Sequence, residues 1–180
     1  MTYKNEGNSD KAIEHFKKAA ELFPYYAGDG NPYQMMADIY EARGQKAESA
    51  AALETLIRYN ETNKTAPEKL ARLRKELGDL KGAAEILRQS FYIQPFDASL
   101  HKLAGGVYLE LGNPAEAVRE FRAQIALAPP DLAEAHYDLA RSLEAAGNHT
   151  EAKREVLRAL EIAPGFDKAQ ELLLKLRASR

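Results

Sequence analysis

Apolar residues recur every three or four positions along most of this chain, which is the spacing of one face of an α-helix. Glycines interrupt these helical stretches at a nearly constant interval: Gly7, Gly44, Gly78, Gly112 and Gly147. The intervals are 37, 34, 34 and 35 residues. A fixed period of this length predicts a series of repeated helix pairs.

Each repeat carries the same residue types at fixed distances from its glycine. A small residue lies five positions after it: Ala12, Ser49, Ala83, Ala117 and Ala152. A large apolar residue comes four positions later: Phe16, Leu53, Leu87, Phe121 and Val156. A second small residue lies seven positions before four of the glycines: Ala37, Ala71, Gly105 and Ala140. Small residues let facing helices approach, and the large residue fills the space between them, so we predict closely packed helix pairs.

The ends of the predicted helices carry their own signals. Each glycine is expected to adopt the left-handed conformation that follows a helix end. Closing residues follow the second helix: Pro24, Glu61, Pro95, Pro129 and Pro164. Proline ends a helix because it cannot donate a backbone hydrogen bond. We predict helix N-caps at Thr65, Asn113, Asp131 and Asn148.

The helix–turn–helix period and its small, large and proline positions resemble the tetratricopeptide repeat family. The resemblance covers nearly the whole chain and implies an all-α fold, an α-solenoid whose antiparallel helix pairs form a right-handed superhelix. We expect one domain over 1–180. It would comprise a truncated repeat and loop at 1–29, full repeats at 30–63, 64–97, 98–131 and 133–166, and a closing helix at 167–180.

The chain departs from the family pattern at two positions of the first helix. The early aromatic position holds Tyr33, Pro67, His101 and His136. We expect the two histidines to be packed, hydrogen-bonded substitutes for an aromatic ring, since a metal site would need further ligands. Arg74 replaces an apolar residue, so either the first helix of this repeat packs more loosely, or the Arg74 stem covers the helix interface with its charged head in water.

The first segment of the chain predicts a fragment. Tyr3 precedes Gly7 by four residues, as Tyr40 precedes Gly44, so we expect the chain to begin inside a first helix of a longer protein. The localisation of the protein is therefore left open. Residues 25–32 form a connection about three residues longer than the regular one. A tolerated loop insertion is favoured over a protruding loop that offers two tyrosines to a partner.

Composition narrows the function. The chain has 45% hydrophobic residues, 29% charged residues and a formal net charge of −2, a globular mixture that argues against nucleic-acid binding. Cysteine is absent from the sequence, and no apolar run approaches the roughly 20 residues of a membrane span. We find no phosphate-binding loop, no HExxH motif and no fixed carboxylate pair. The sequence therefore predicts no enzyme, no cofactor and no metal site.

In the family that the chain resembles, the first helix of each repeat lines a concave groove that holds a peptide or partner helix. Carried over to this chain, the groove candidates are Gln34, Asp38, Lys69, Arg72, Lys75, Lys102, Leu103, Gly106, Leu109, Tyr137, Arg141 and Lys168. Three cations, Lys69, Arg72 and Lys75, form a basic strip. This strip is either a site for an acidic ligand or a face neutralised by neighbouring glutamates.

Two further interpretations concern the third repeat. Gly106 is either a notch in the groove floor, flanked by Leu103 and Leu109, or a tolerated surface position. Lys102 and Lys168 match two lysines of the clamp with which some family members bind acidic chaperone C-termini. The remaining clamp positions hold Gly106, Asp138 and Leu172, so we reject that assignment.

The sequence therefore favours a non-enzymatic scaffold that binds a protein or peptide segment. One alternative is an accessory region of a larger enzyme, such as a peptidase or transferase, that presents substrates. Another is a self-assembly module, in which the truncated N-terminal edge stacks weakly on a second copy.

Overall fold

A computed structural model describes residues 6–26 and 28–178, with side chains from residue 8 onward. Within these ranges the chain forms ten α-helices and no strand. The helices are α1 (Glu6–Leu22), α2 (Pro32–Ala42), α3 (Lys46–Tyr59), α4 (Ala66–Glu76), α5 (Leu80–Ser90), α6 (Ala98–Glu110), α7 (Pro114–Ala126), α8 (Leu132–Ala145), α9 (His149–Ile162) and α10 (Asp167–Ala178).

The helices belong to two compact units, residues 1–93 and 94–180. In the first unit, α2 packs on α3 and α4 on α5, and α3 and α4 join the two pairs. In the second unit, α6 packs on α7 and α8 on α9, α7 contacts α8, and α10 covers α9. Each unit is therefore built of helix pairs stacked in chain order. The repeat boundaries given above remain a prediction.

Tight glycine turns join the two helices of each pair. Gly44, Gly78, Gly112 and Gly147 have φ values of +71°, +83°, +75° and +78°, which confirms the predicted left-handed conformation. The prediction for Gly7 is wrong, because α1 begins at Glu6 and contains it. A glycine inside a helix does not follow a helix end, so it does not need the left-handed conformation even where it keeps the repeat spacing. Tyr3 lies outside the described residues.

The small and large positions of the repeats form the core of each unit. Ser49, Ala83, Ala117 and Ala152 are 0% exposed, as are Leu53, Leu87 and Val156. The buried Ser49 hydroxyl donates to the carbonyl of Ala37, 3.0 Å away on the facing helix, so its polar atom is satisfied. The predicted close packing of helix pairs is confirmed.

Gly105 shows how tight that packing is. A Cβ atom at this position would lie 2.7 Å from the ring of Phe121, the large residue of the same repeat. Phe121 is 2% exposed and therefore has little freedom to move. The third repeat needs glycine at the small position because it carries phenylalanine at the large one.

We predict that Gly105→Ala lowers the free energy of unfolding by about 1–3 kcal/mol, because overpacking exceeds the gain in helix propensity. Gly106→Ala is the matched control at the next, partly exposed position. It should raise stability by about 0.5–1 kcal/mol, the usual gain when alanine replaces a glycine inside a helix. Urea unfolding of both variants measures the difference. Equal effects of the two substitutions would contradict the role given to Phe121.

The predicted N-cap residues lie at the N-cap positions, but most of them do not make the expected side-chain hydrogen bond. The Asn148 side chain accepts from the backbone N–H of Glu151 at 3.3 Å, as expected. Among the described residues, Thr65, Asn113 and Asp131 hold the N-cap position without such a bond. At α4 the carbonyl oxygen of the Asn63 side chain accepts from the N–H of Ala66 instead, at 2.8 Å.

Arg74 lies in an ion-pair network, so the expectation that its head is surrounded by water is wrong. One guanidinium nitrogen lies 2.7 Å from a carboxylate oxygen of Glu54 on α3, and the other lies 3.0 Å from Asp79. The Arg74 side chain is 25% exposed. Asp79 also caps α5 by accepting from the N–H of Gly82. Arg74 is thus ion-paired with a residue of α3 and with the N-cap residue of α5.

His101 and His136 are buried and hydrogen-bonded, as predicted, and each pairs with a buried glutamate nineteen residues later. His101 Nδ1 lies 2.8 Å from a carboxylate oxygen of Glu120, and His136 Nδ1 lies 2.7 Å from Glu155. The glutamates were not predicted. The same two positions hold Tyr33 with Ala52, and Pro67 with Ile86, in the first two repeats.

The first and third repeats use the same backbone acceptor. The Tyr33 hydroxyl donates to the carbonyl of Pro24 at 2.6 Å, and His101 Nε2 lies 3.0 Å from the carbonyl of Pro95. Both prolines are the closing residue of the preceding repeat. A buried Tyr–Ala pair and a buried His–Glu pair are therefore alternative ways to fill one position.

We predict that Glu120→Ala alone lowers stability by about 1–3 kcal/mol, because it leaves a buried imidazole nitrogen without its partner. The double variant His101→Tyr, Glu120→Ala copies the pair of the first repeat. It should be within about 1 kcal/mol of the parent, since apolar replacement of a buried polar pair is often neutral. Urea unfolding of the single and double variants tests this. A double variant no more stable than the single one would show that the Tyr–Ala pair cannot replace the His–Glu pair at this position.

Candidate partner-binding site

A cleft of about 430 Å³ opens in the second unit between the first helices of successive pairs. It is lined by Leu109 of α6, by Tyr137, Arg141, Glu144 and Ala145 of α8, and by Lys168, Glu171, Leu172 and Lys175 of α10. Four predicted groove residues therefore lie together here: Leu109, Tyr137, Arg141 and Lys168.

An aromatic cluster supports the Tyr137 side of this cleft. The Tyr137 ring lies 5.0 Å from the ring of Phe166, measured between centroids, and the two rings are tilted by 56°. The Arg141 guanidinium carbon lies 5.7 Å from the Tyr137 centroid, within the range of a cation–π contact. Leu109 and Leu172 pack on the core of the unit. The cleft thus combines fixed apolar surface with a cation held over a ring.

The charges of the cleft are of both signs, and its three cations, Arg141, Lys168 and Lys175, are exposed. Lys175 lies 2.7 Å from a carboxylate oxygen of Glu144, and its side chain is 63% exposed. Arg141 lies 3.5 Å from Asp138. Lys168 and Glu171 lie exposed on α10. Because Lys175 is exposed, its ion pair with Glu144 contributes about 0–1 kcal/mol, so a charged ligand can replace it at little cost.

Asp138 is the most perturbed carboxyl beside the cleft. Burial raises its pKa above the ordinary 3.8, and the negative charge of Glu134 adds to this effect. Arg141 and Lys102 oppose the shift. Lys102 is itself ion-paired with Glu134 on α8. The Asp138 side chain is 15% exposed, so its ionised form has lost most of its contact with water.

We predict that Asp138→Asn stabilises the protein at neutral pH. The folded state binds the Asp138 proton more tightly than the unfolded chain, so the contribution of this group to stability falls as pH rises from 3.8 through the raised pKa. The amide of the Asp138→Asn variant is uncharged, so its burial does not carry this cost. Unfolding by urea at a series of pH values should show the advantage of the Asp138→Asn variant narrowing as pH falls towards 3.8. An advantage that does not depend on pH would contradict the assignment.

The basic strip of the first unit is neutralised by its neighbours. Lys69 Nζ lies 2.9 Å from a carboxylate oxygen of Asp38, which also accepts from the Gln34 amide at 2.8 Å. Arg72 lies 2.7 Å from Glu68, one turn away on the same helix. Lys75 is partly buried. These contacts favour the interpretation of the strip as a solvated, self-neutralised face.

Leu103 does not offer the surface expected of a groove residue. It is 9% exposed, because it lies on the same face of α6 as Leu100 and Val107, which are 0% exposed. The expectation that it flanks an open notch is therefore wrong. Gly106 is partly exposed. Its role as a notch stays a prediction.

Lys175 belongs to the cleft and was missed at the sequence level. It lies seven residues after Lys168, which places both on one face of α10. Of the cleft residues on this helix, Lys168 alone is among the predicted groove candidates. The sequence signal for Lys175 is its spacing of seven residues from Lys168.

The rest of the described chain adds no chemistry to the site. No three histidine, aspartate or glutamate side chains in residues 8–26 and 28–178 converge where they could hold a metal ion. Within the same ranges, every helix is too short or too polar to pass through a bilayer.

Stacked helix pairs with glycine turns, small residues at the contacts and a period near 34 define an all-α helical-repeat protein of the α-solenoid class. One family model, described as tetratricopeptide repeat, matches residues 35–98 and 102–167. A second model with the same description matches residues 1–26. The chain belongs to the tetratricopeptide repeat family. No curated protein sequence matches it.

Solved structures share the fold. The chain resembles YrrB, described as a TPR protein with an unusual peptide-binding site, with a TM-score of 0.77 and 21% identity over 92% of this chain and 83% of that one. A MamA crystal structure matches with a TM-score of 0.75 and 20% identity over 80% and 78% of the two chains. The first TPR of Spaghetti (RPAP3), bound to the HSP90 peptide SRMEEVD, matches with a TM-score of 0.60 and 19% identity over 64% of this chain and 91% of that one.

Proposed function

We propose that this protein is an interaction scaffold whose second unit binds a segment of a partner protein in the cleft between α6, α8 and α10. The observation that carries the proposal is the cleft itself, where Tyr137, Arg141 and Lys168 meet over apolar surface. The peptide-binding TPR structures that the chain resembles support the same kind of function. The family fold is a non-catalytic scaffold, and we propose no reaction for this chain.

The chemistry of the cleft defines the segment that it would accept. Leu109 and the Tyr137 ring, both partly buried against the core, offer apolar contact for one side chain. Arg141 and Lys168 stand beside this surface as donors for a carboxylate. Lys175 becomes a third donor if the ligand displaces Glu144. We therefore expect a segment in which an apolar residue is followed or preceded by an acidic one.

We predict that the double variant Arg141→Glu, Lys168→Glu reduces binding of such segments about tenfold or more, because it places two carboxylates beside the acidic residue of the ligand. Selection from a random peptide library against the parent protein supplies the ligands. Fluorescence anisotropy then measures their dissociation constants at low and high salt. The affinity for the parent should fall as salt rises.

The matched control is Lys153→Glu, Arg154→Glu on α9, outside the cleft, which changes the net charge by the same amount. It should bind with nearly the parent affinity. Equal losses for the two double variants would show a general charge effect. Peptides that bind the cleft variant as tightly as the parent would refute the proposed site.

A further inference from the structure

Three tyrosine rings pack together beside the first helix pair. The centroids of Tyr25 and Tyr59 lie 5.2 Å apart with the rings at 88°, and those of Tyr33 and Tyr59 lie 5.9 Å apart at 39°. Tyr33 is 7% exposed. Such edge and tilted contacts are the preferred geometry of aromatic pairs. The three rings therefore form a small aromatic cluster at the end of α3 and the start of α2.

The next repeat has no ring at any of these three positions. Counting from the repeat glycine, Tyr33 and Pro67 each lie eleven residues before it, and Tyr59 and Ile93 each lie fifteen after it. Tyr25 and Thr62 both lie eighteen residues after the glycine of the preceding copy. The aromatic cluster of one repeat thus corresponds to Thr62, Pro67 and Ile93 in the next.

All three replacements line an open cleft of about 480 Å³ in the first unit. The remaining lining residues are Ile57, Arg58, Glu61, Ile86, Gln89, Ser90 and Tyr92. Tyr92 is 81% exposed and Ile93 is 38% exposed. The space that Tyr33 and Tyr59 occupy beside α2 is therefore open beside α4, although its walls are largely apolar. Its volume lies within the range of roughly 300–1,000 Å³ typical of ligand sites.

We propose that this cleft, here named the Pro67 cleft, receives an aromatic side chain from a segment of a partner protein. The choice of an aromatic group rests on the corresponding positions of the first repeat, where the chain itself places the rings of Tyr33 and Tyr59, with Tyr25 packed on Tyr59 from the solvent side. The exposed Tyr92 ring at the rim can then make an edge contact with the incoming ring. This site belongs to the first unit and does not depend on the cleft of the second.

The charges at the rim agree with a neutral occupant. Arg58 and Glu61 carry opposite signs, and the other lining side chains are uncharged. A carboxylate or a cation entering the cleft would lose water without gaining a net opposite charge. The ligand chemistry of the Pro67 cleft therefore differs from the acidic segment proposed for the second unit.

The test follows the isoleucine methyl groups of the full chain by NMR while a probe is added. N-acetyl-phenylalanine methylamide is the probe, and N-acetyl-leucine methylamide is the aliphatic comparison. The phenylalanine probe should shift the methyl signals of Ile57, Ile86 and Ile93. Its dissociation constant should be smaller than that of the leucine probe by about threefold or more, the advantage of an aromatic pair over equal apolar burial.

Pro67→Tyr places in this repeat the residue that the first repeat carries at the second position of α2. The new ring should fill the cleft and abolish the methyl shifts. Ala51→Tyr, at an exposed position of α3, adds the same ring elsewhere and should leave the shifts unchanged. If Pro67→Tyr does not fold, Ile93→Glu serves instead, because it places a carboxylate at the mouth and should weaken the phenylalanine probe at Ile57 and Ile86.

Three results would overturn the proposal. The first is a leucine probe that binds as well as the phenylalanine probe. The second is a folded Pro67→Tyr or Ile93→Glu variant that binds the phenylalanine probe like the parent. The third is a set of methyl shifts that grows with protein concentration without any probe, since this would make a second copy of the chain the occupant.

Discussion

The close approach of the two helices in each pair is the constraint on which the rest of this structure depends. It requires a small residue on one helix wherever a large one stands on the other, as Gly105 and Phe121 show most clearly. Once the helices are this close, their ends must be joined by short turns, and glycine supplies the left-handed residue at each of them. The positions of the cleft residues follow, because they lie on helices whose spacing is already set.

Positions away from this contact vary widely without disturbing it. The pair of positions nineteen residues apart holds Tyr33 with Ala52, Pro67 with Ile86, and His101 with Glu120. The first pair fills its space with a ring, the third with a hydrogen-bonded polar pair, and the second leaves an apolar cleft. The repeat fold accommodates all of these because other residues, at the small and large positions, make the helix contact. Variation at such positions can therefore produce a binding site without a change of fold.

The sequence predicted the helix pairs, the turns and most of the core because those features depend on local spacing. It predicted the environment of Arg74 wrongly, since Glu54 lies twenty residues earlier and approaches only after the helices pack. Glu120 and Glu155 were missed for the same reason. A glutamate in a helical pattern is usually solvated, and only the three-dimensional pairing shows that these two are buried. Four of the predicted groove residues line one cleft, whereas Leu103 is turned into the interior, and the groove as a binding site stays a prediction.

The two clefts illustrate how one scaffold can present different chemistry. In the second unit, Arg141 and Lys168 accompany apolar surface, and the Lys175–Glu144 pair beside them is weak enough to exchange with a ligand. In the first unit, the charges at the rim of the Pro67 cleft cancel, so shape and apolar contact dominate. A partner that used both sites would need an acidic segment for one and an aromatic residue for the other. Two weak contacts of different chemistry on one chain raise specificity more than either does alone, since a competitor must satisfy both.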